Sequence, residues 1–512
     1  MNTQTWLFAK HTNKLILACI LLNLAIAIPF AANLNLRSDE GYAMESSSRD
    51  FAYAVDQAIH FELQAPLYFG IISLWRNIND SIFFARLYSI LCILGAVFVI
   101  KEISLRYIPS INPIWPVAIF LFNPITIYTE VDVRCYAMIL LLSSLLLMTF
   151  YDGYISDKPR WQSRLAYAIL ATIALYTHYY AGFLLAANGF ALLANRRWIP
   201  FRNLCIDMIL PAIGLLILLP NMPGQYEQKV LQAEQNGPIG IMMWLFQNLD
   251  SFLIASQKFD IENATARWLT RGILSIAAVA PIAYFWRKIP NLLKSENRYI
   301  LAIASGLLLC YTLIFTIWGK EFVKFKFLAP LLIPLIMSVY VLLSAHKTKL
   351  RFVGYTAFLI GCYIFALANY YTPFIKSEDY KGVSAYIQER EQSNQPILVF
   401  ENVHEMLFQH HYHGENELYA LPFPINFDEP WGHERWLLQS EEQVREVFAG
   451  LPGDPDTVWL IVHGQRVVKF VDLNHKYLEA YVSKNFQVIS EEEFPRNLTV
   501  QQLKKRQAIT SD

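Results

Sequence analysis

Charge is scarce in this sequence. Charged residues make up 16% of its 512 positions, against roughly 25% in soluble proteins. Lys and Arg number 42 and Asp and Glu number 42, so there is no basic surplus for a nucleic-acid partner and that class is set aside. Cysteine is scarce too. Cys19, Cys92, Cys135, Cys205, Cys310 and Cys362 form no CxxC, and each lies in or at the edge of an apolar run. They read as small packing residues and argue against a disulfide framework. No Gly-rich phosphate loop links a strand to a helix, which argues against a nucleotide fold. No internal repeat is visible. The first apolar run, Leu15 to Ala32, lacks a small-x-small cleavage site and is long enough to cross a bilayer. A retained signal-anchor helix is expected there.

What is present is apolar and aromatic: 55% hydrophobic residues, with 34 Phe, 28 Tyr and 12 Trp. Their distribution is uneven. The first three quarters is apolar with punctuating charges, and the last quarter has ordinary soluble composition. A spanning helix needs about 20 mainly apolar residues, and on that criterion about eleven candidate spans emerge. They are Leu15–Leu34, Ile82–Ile103, Asn112–Tyr128, Cys135–Phe150, Leu165–Thr177, Ala181–Ala194, Leu204–Pro220, Trp268–Trp286, Tyr299–Ile317, Phe327–Leu343 and Phe352–Tyr370. The pair around His178 reads equally as two tilted helices or one long one. With a cytoplasmic N-terminus, every inner segment is basic, as the positive-inside rule asks. An odd number of spans then puts residues 372–512 outside. The segment from Asn35 to about Asp80 mixes charged and apolar residues in a pattern that suits interfacial helices. The expected class is an α-helical polytopic membrane protein, residues 1–372, with a soluble extracytoplasmic α/β domain, residues 373–512. In that tail, helical patterns at Tyr380–Glu391, Val403–Tyr412 and Glu441–Ala449 alternate with strand patterns at Pro396–Phe400, Glu417–Leu421, Thr457–His463 and Phe486–Ser490.

Chemistry-bearing residues gather at the expected outer ends. Asp39 and Glu40 are adjacent just past the first span. Asp132, Arg134, His178, Lys320, Glu321, Lys324 and Lys326 fall at the same face. Ionisable groups near a bilayer are costly unless paired or lining a wet cavity, so one outward cavity is the economical reading. The alternatives are ordinary ones: solvated acids, an interfacial histidine in an aromatic belt, and lysines that bound a helix. Arg134 gains nothing from the dipole at a helix start, which weakens a structural role for it. In the tail, His404, His410, His411 and His413 lack HExxH spacing and a third-ligand pattern. They are expected to be structural or surface histidines.

Taken in order, the motifs resemble those of a known family. Asp39-Glu40, His60-Phe-Glu-Leu-Gln-Ala-Pro66-Leu-Tyr-Phe, Arg86-Leu-Tyr-Ser, Asn123-Pro-Ile-Thr-Ile-Tyr128, Asp132-Val-Arg134-Cys-Tyr136, Thr177-His-Tyr-Tyr180 and Phe325-Lys-Phe-Leu-Ala-Pro330 follow one another across residues 10–370. The set resembles GT-C fold glycosyltransferases of the protein-mannosyltransferase and aminoarabinose-transferase superfamily, in the bacterial dolichyl-phosphate-mannose-like mannosyltransferase branch. Three positions depart from that pattern. Asp132 stands for the more usual Glu, Ala65 for a Pro, and Lys326 for an Arg, which exchanges a bidentate phosphate binder for a point charge.

The resemblance implies an enzyme that moves a sugar from a polyprenyl-phosphate donor to an extracytoplasmic acceptor (protein, lipid or glycan), with inversion. It implies Asp39 as base, with Glu40 and Asp132 in support, and Arg134, His178, Lys324 and Lys326 at the donor phosphate. His60, Tyr136 and Tyr179 are implied contacts to donor or acceptor. Asp39 and Asp132 would suit a hard divalent cation, Mg²⁺ or Mn²⁺, although nothing in the sequence requires one. A multi-pass place in a bacterial plasma (inner) membrane follows from the same resemblance. The rival readings are a transporter, which would show pseudo-symmetry and mid-span ionisable residues, a lipid-linked polysaccharide ligase or polymerase, in which Arg and His rather than an adjacent acidic pair would lead, and a non-catalytic cell-envelope scaffold.

Overall fold

The computed structural model describes residues 3–221, 238–255, 264–284, 297–319, 325–344, 349–371, 376–429, 437–464, 466–468 and 471–506. The chain falls into two compact units. The first comprises Met1–Ala32, Ser47–Ile59 and Leu63–Thr372, and the second Asn33–Ser46, His60–Glu62 and Pro373–Asp512.

Every regular element described in the first unit is helical. Seven helices among the described residues are long and apolar enough to cross a membrane: His11–Asn33, Ile82–Tyr107, Tyr136–Ile155, Trp198–Leu218, Arg298–Trp318, Lys326–Ser344 and Phe352–Tyr371. The chain has the architecture of an α-helical polytopic membrane protein. Seven is fewer than the eleven expected, and part of the difference has local causes. The expected Asn112–Tyr128 span is broken into Ile114–Phe122 and Pro124–Glu130. Pro124 has no N–H with which to continue the ladder. Asn123 caps the second piece: its Oδ1 accepts from the Ile125 N–H at 2.9 Å. Its Nδ2 donates to Phe252 O at 2.7 Å and Tyr363 Oη at 3.1 Å. The Asn-Pro pair is therefore a capped break. Around His178 there are two helices, Trp161–Thr177 and Ala181–Ala194, each under 18 residues. His178 itself is extended, at φ −162° and ψ 122°. The expected Trp268–Trp286 span is a helix over Ala264–Tyr284, and its last two residues lie outside the described ones.

Small residues allow a close helix approach among the described residues of this unit. A Cβ on Gly306 would stand 3.3 Å from the Ala187 Cα and 2.9 Å from the Phe190 ring. Arg298–Trp318 thus packs nearly backbone to backbone on Ala181–Ala194, as small residues permit between membrane helices. The Asn35–Asp80 segment supplies short helices: Ser38–Ser46, Phe51–His60 and Leu67–Arg76.

The second unit is an α/β layer around a five-stranded sheet. The strands are β1 Ile397–Phe400, β2 Leu418–Leu421, β3 Thr457–His463, β6 Phe486–Phe494 and β7 Leu498–Lys505, in the order β2-β1-β3-β7-β6. A separate hairpin pairs β4 Val467–Val468 with β5 Val471–Asp472. β1 runs parallel to β2 and β3, whereas β7 is antiparallel to both β3 and β6. All four residues of β1 are buried, as befits a central parallel strand covered on both faces. Leu398, Phe400, Val458, Leu460 and Leu503 of the sheet pack with Phe448 and Leu478 of the helices Glu441–Ala449 and His475–Asn485. The helix His475–Asn485 and strand β7 are additions to the elements read from the sequence.

Candidate functional site

In the second unit, the adjacent acids lie on the helix Ser38–Ser46. Both fall in its first turn, where carboxylates favour the positive end of the helix dipole. Their roles diverge. Glu40 turns back to the helix start, its Oε2 accepting from the Arg37 N–H at 3.1 Å, in the manner of a capping-box acid. The same Oε2 stands 3.1 Å from the Lys376 Nζ, and both side chains are fully buried. Asp39 remains 38% exposed and lies 3.6 Å from the Arg37 guanidinium. Of the two acids, only Asp39 is open to a reactant.

Two further contacts hold that helix within its unit. A Cβ on Gly41 would stand 2.6 Å from Leu407 Cδ2 and 2.7 Å from Met406 Cε, so the helix Asn402–Gln409 packs directly on this glycine. Asn35 accepts from the Lys376 and Ser377 N–H groups at 3.0 and 3.4 Å, and its Nδ2 donates to Glu378 O. Gly41→Val is expected to lower stability by roughly 1–3 kcal/mol through overpacking. Thermal unfolding of the purified protein checks this, and an unchanged midpoint would contradict the packing.

In the first unit, the candidate residues Asp132 and Arg134 lie in the turn Val131–Cys135, between Pro124–Glu130 and Tyr136–Phe150. Asp132 is fully buried and Arg134 is 4% exposed. Ser89 donates to the Asp132 carbonyl at 2.7 Å, which fixes the turn to the helix Ile82–Tyr107. The Arg134 guanidinium lies 5.8 Å from the Phe69 ring centre. Lys326 Nζ lies 5.8 Å from the Tyr136 ring and 6.0 Å from the Phe327 ring. His178 packs at 5.8 Å from Tyr136, 5.6 Å from Phe327 and 5.2 Å from Tyr180. Its Nδ1 accepts from the Tyr180 N–H at 3.3 Å. Arg134, Lys326 and Asp132 all lie within electrostatic range of Cys135. Two cations, one carboxylate and an aromatic-lined histidine thus gather in one helical unit, an arrangement able to hold a phosphate ester.

The structure brings Asp132, Arg134, Tyr136, His178 and Lys326 into that cluster. Tyr179 lies in the turn beside His178, half-buried. Asp39, Glu40 and the exposed His60 belong to the second unit. Lys320, Glu321 and Lys324 lie outside the described residues. Sequence reasoning missed Lys376, which neutralises Glu40 from 336 residues away with no local signal. It also missed Tyr68. That hydroxyl is buried with no hydrogen-bond partner among the described residues, within electrostatic range of Arg134 and Asp132.

These features define a polytopic membrane protein with a buried polar cluster in its helical unit and an appended α/β unit. No protein-family model matches the chain, and no curated protein sequence matches it significantly. Solved structures do match. The crystal structure of ArnT from Cupriavidus metallidurans bound to undecaprenyl phosphate aligns over 98% of this chain and 98% of that chain, with TM-score 0.58 and 12% identity. ArnT from the same organism in the apo state aligns over 94% and 97%, with TM-score 0.55 and 12% identity. At that identity the likeness is one of fold. It shows a fold shared with ArnT and singles out no mannosyltransferase branch.

Proposed function

We propose that this chain is a membrane glycosyltransferase that transfers a sugar from a polyprenyl-phosphate donor to an extracytoplasmic acceptor, with inversion at the anomeric carbon. The observation that carries the reading is the buried Asp132–Arg134 turn with Lys326 nearby, in a fold shared with ArnT. The ArnT structure was solved with undecaprenyl phosphate, a carrier of the class proposed. A phosphate ester leaves well once cations neutralise it, so no strong acid is needed. Arg134 and Lys326 supply that charge, and His178 borders it. The bond from the anomeric carbon to the phosphate oxygen breaks, and its electron pair goes to the phosphate. The acceptor hydroxyl oxygen bonds to that carbon from the opposite face and gives its proton to Asp39. Glu40 holds the Asp39 helix through Lys376 rather than touching substrate. Asp132 orients the reactants. A divalent cation at the acidic positions, Mg²⁺ or Mn²⁺, is tested by EDTA treatment during the assay. The orientation belongs to the same reading: a cytoplasmic N-terminus, and a C-terminal unit outside the plasma membrane.

The Tyr68 hydroxyl completes the phosphate site in this reading. A hydrogen bond to a charged group is worth about 1.5–3 kcal/mol. Tyr68→Phe is therefore expected to weaken donor use by roughly ten- to a hundredfold, with the melting temperature unchanged because no partner among the described residues is lost. Binding of undecaprenyl phosphate to the purified protein, measured by native mass spectrometry, tests the donor site. Wild type should retain the lipid phosphate, and Arg134→Ala and Tyr68→Phe should retain less. Equal retention by all three would remove the proposed phosphate site.

A further inference from the structure

The second unit holds another constellation, which the sugar-transfer chemistry does not use. Glu401, His404 and His463 are all buried, and one potential ligand atom from each lies within 4.8 Å of the others. Glu401 Oε1 and His404 Nε2 are 4.0 Å apart, and the two imidazoles stack at 4.6 Å. A fourth group stands close by: Glu378 Oε1 lies 3.7 Å from His463 Nε2. Of the histidines expected to be structural or surface ones, His404 is a buried one, hydrogen-bonded to Tyr380. It is buried beside another histidine and an acid that are remote or unobvious in sequence.

Topology explains why these residues meet. β1 and β3 are neighbouring parallel strands, and the register that pairs Phe400 with Val462 brings Glu401 beside His463 at their carboxyl ends. From there the chain leaves in opposite directions. β1 leads through the helix Asn402–Gln409 to β2 on one side, and β3 leads on toward β7 and β6 on the other. Such a divergence opens a crevice beyond the carboxyl edge, the usual ligand position in parallel sheets. His404 enters the same place from the first turn of Asn402–Gln409.

We propose that Glu401, His404 and His463 form a zinc site that fastens the helix Asn402–Gln409 and the 376–378 segment to the carboxyl ends of β1 and β3. Two imidazole nitrogens and a carboxylate are a donor set zinc accepts, with Glu378 placed to supply the fourth ligand. Tetrahedral zinc wants neighbouring ligand atoms roughly 3.3 Å apart, so rotamer adjustments of an ångström or so close the site. Tyr380 Oη is hydrogen-bonded to His404 Nδ1. With that ring N–H donating to the phenol oxygen, Nε2 is left as the ligand, as outer partners of metal-bound histidines arrange. The electrostatics agree. Burial lowers both histidines, which favours the neutral, lone-pair form. Burial and the neighbouring Glu378 push Glu401 up to about 7, so a carboxylate there lacks compensation that a dication would provide. The proposal does not rest on the sugar-transfer reading. Its structural consequence reaches the Asp39 helix, because Gly41 packs on Met406 and Leu407, two and three residues beyond His404.

The test uses the full chain in detergent, purified through a tag without histidine, with metal content read by plasma mass spectrometry. Wild type is expected to carry roughly one zinc per chain. Chelation should lower its melting temperature by about 5 °C or more, and added zinc should restore it. His404→Ala and His463→Ala should lose both the zinc and the chelator response. Should neither variant fold, chelated wild type titrated with Co²⁺ serves in their place. Tetrahedral ligand-field absorption, with imidazole ligation in the X-ray absorption spectrum, is the supporting result. Wild type that takes up neither zinc nor cobalt overturns the proposal, as do variants that retain full zinc content.

Discussion

Arg134→Ala is expected to lower kcat/KM for sugar transfer by roughly a hundred- to a thousandfold, the scale seen when a preorganised donor to a developing anion is removed. The argument begins with where the residue sits. Arg134 lies in the turn just before the helix Tyr136–Phe150, where its charge opposes the dipole. Nevertheless it is almost completely buried, beside the fully buried Asp132 and facing the Phe69 ring. A cation held there beside a carboxylate is placed to meet an anionic ligand as well. In a site shielded from water a phosphate leaving group fits that need, because the charge is then worth far more than it would be in solvent. Arg134→Lys separates charge from geometry. A lysine keeps the point charge and loses the fork, so recovery of about a tenth of wild-type activity would mark the fork as the greater part. Steady-state kinetics on membranes with matched protein levels make the measurement. Near-wild-type turnover by Arg134→Ala would remove this residue from the mechanism.

Glu40→Ala is expected to lower the stability of the protein by roughly 3–5 kcal/mol, the scale for leaving one member of a buried ion pair without its partner. Lys376 Nζ is 3.1 Å from Glu40, and neither side chain is exposed. The double variant Glu40→Gln with Lys376→Met removes both charges and should recover much of the loss, since replacing a buried pair by neutral groups is often nearly neutral in energy. Thermal and chemical unfolding of wild type, Glu40→Gln, Lys376→Met and the double variant completes a double-mutant cycle. Additive losses would show that the pair is uncoupled. The cycle also separates the adjacent acids. Glu40→Gln with Lys376→Met should keep measurable transfer, because Glu40 acts through the helix that carries Asp39.

The helices were legible because apolar run length is a strong signal, and every expected span is largely helical over its described residues. Their count was less so. Asn123-Pro124 breaks one run with a cap whose partners, Phe252 and Tyr363, are far away in sequence. In the tail, β1 and β3 stood out as dense apolar runs. β7, Leu-Thr-Val-Gln-Gln-Leu-Lys-Lys, was hidden because its pattern is diluted with polar residues. The turn that leads into it has Arg496 and Asn497 at positive φ, with no glycine to announce it. Among the candidate residues, Asp132, Arg134 and Lys326 were visible as ionisable groups next to apolar runs. The distinction between Asp39 and Glu40 was not, because it depends on Lys376. The metal constellation was missed for the same reason: His404 lies near Glu401 in sequence, but His463 reaches them only through the pairing of β1 with β3.

Transfer of labelled sugar from a panel of polyprenyl-phosphate donors, compared between wild type and Asp39→Asn at matched expression, tests the central claim most directly. The account predicts label on an acceptor with wild type, dependent on one donor and lost by the asparagine variant, which keeps its fold and its bound lipid phosphate. Equal transfer by both proteins would contradict Asp39 as the base. No transfer by wild type from any donor would contradict the assignment of the chain as a glycosyltransferase.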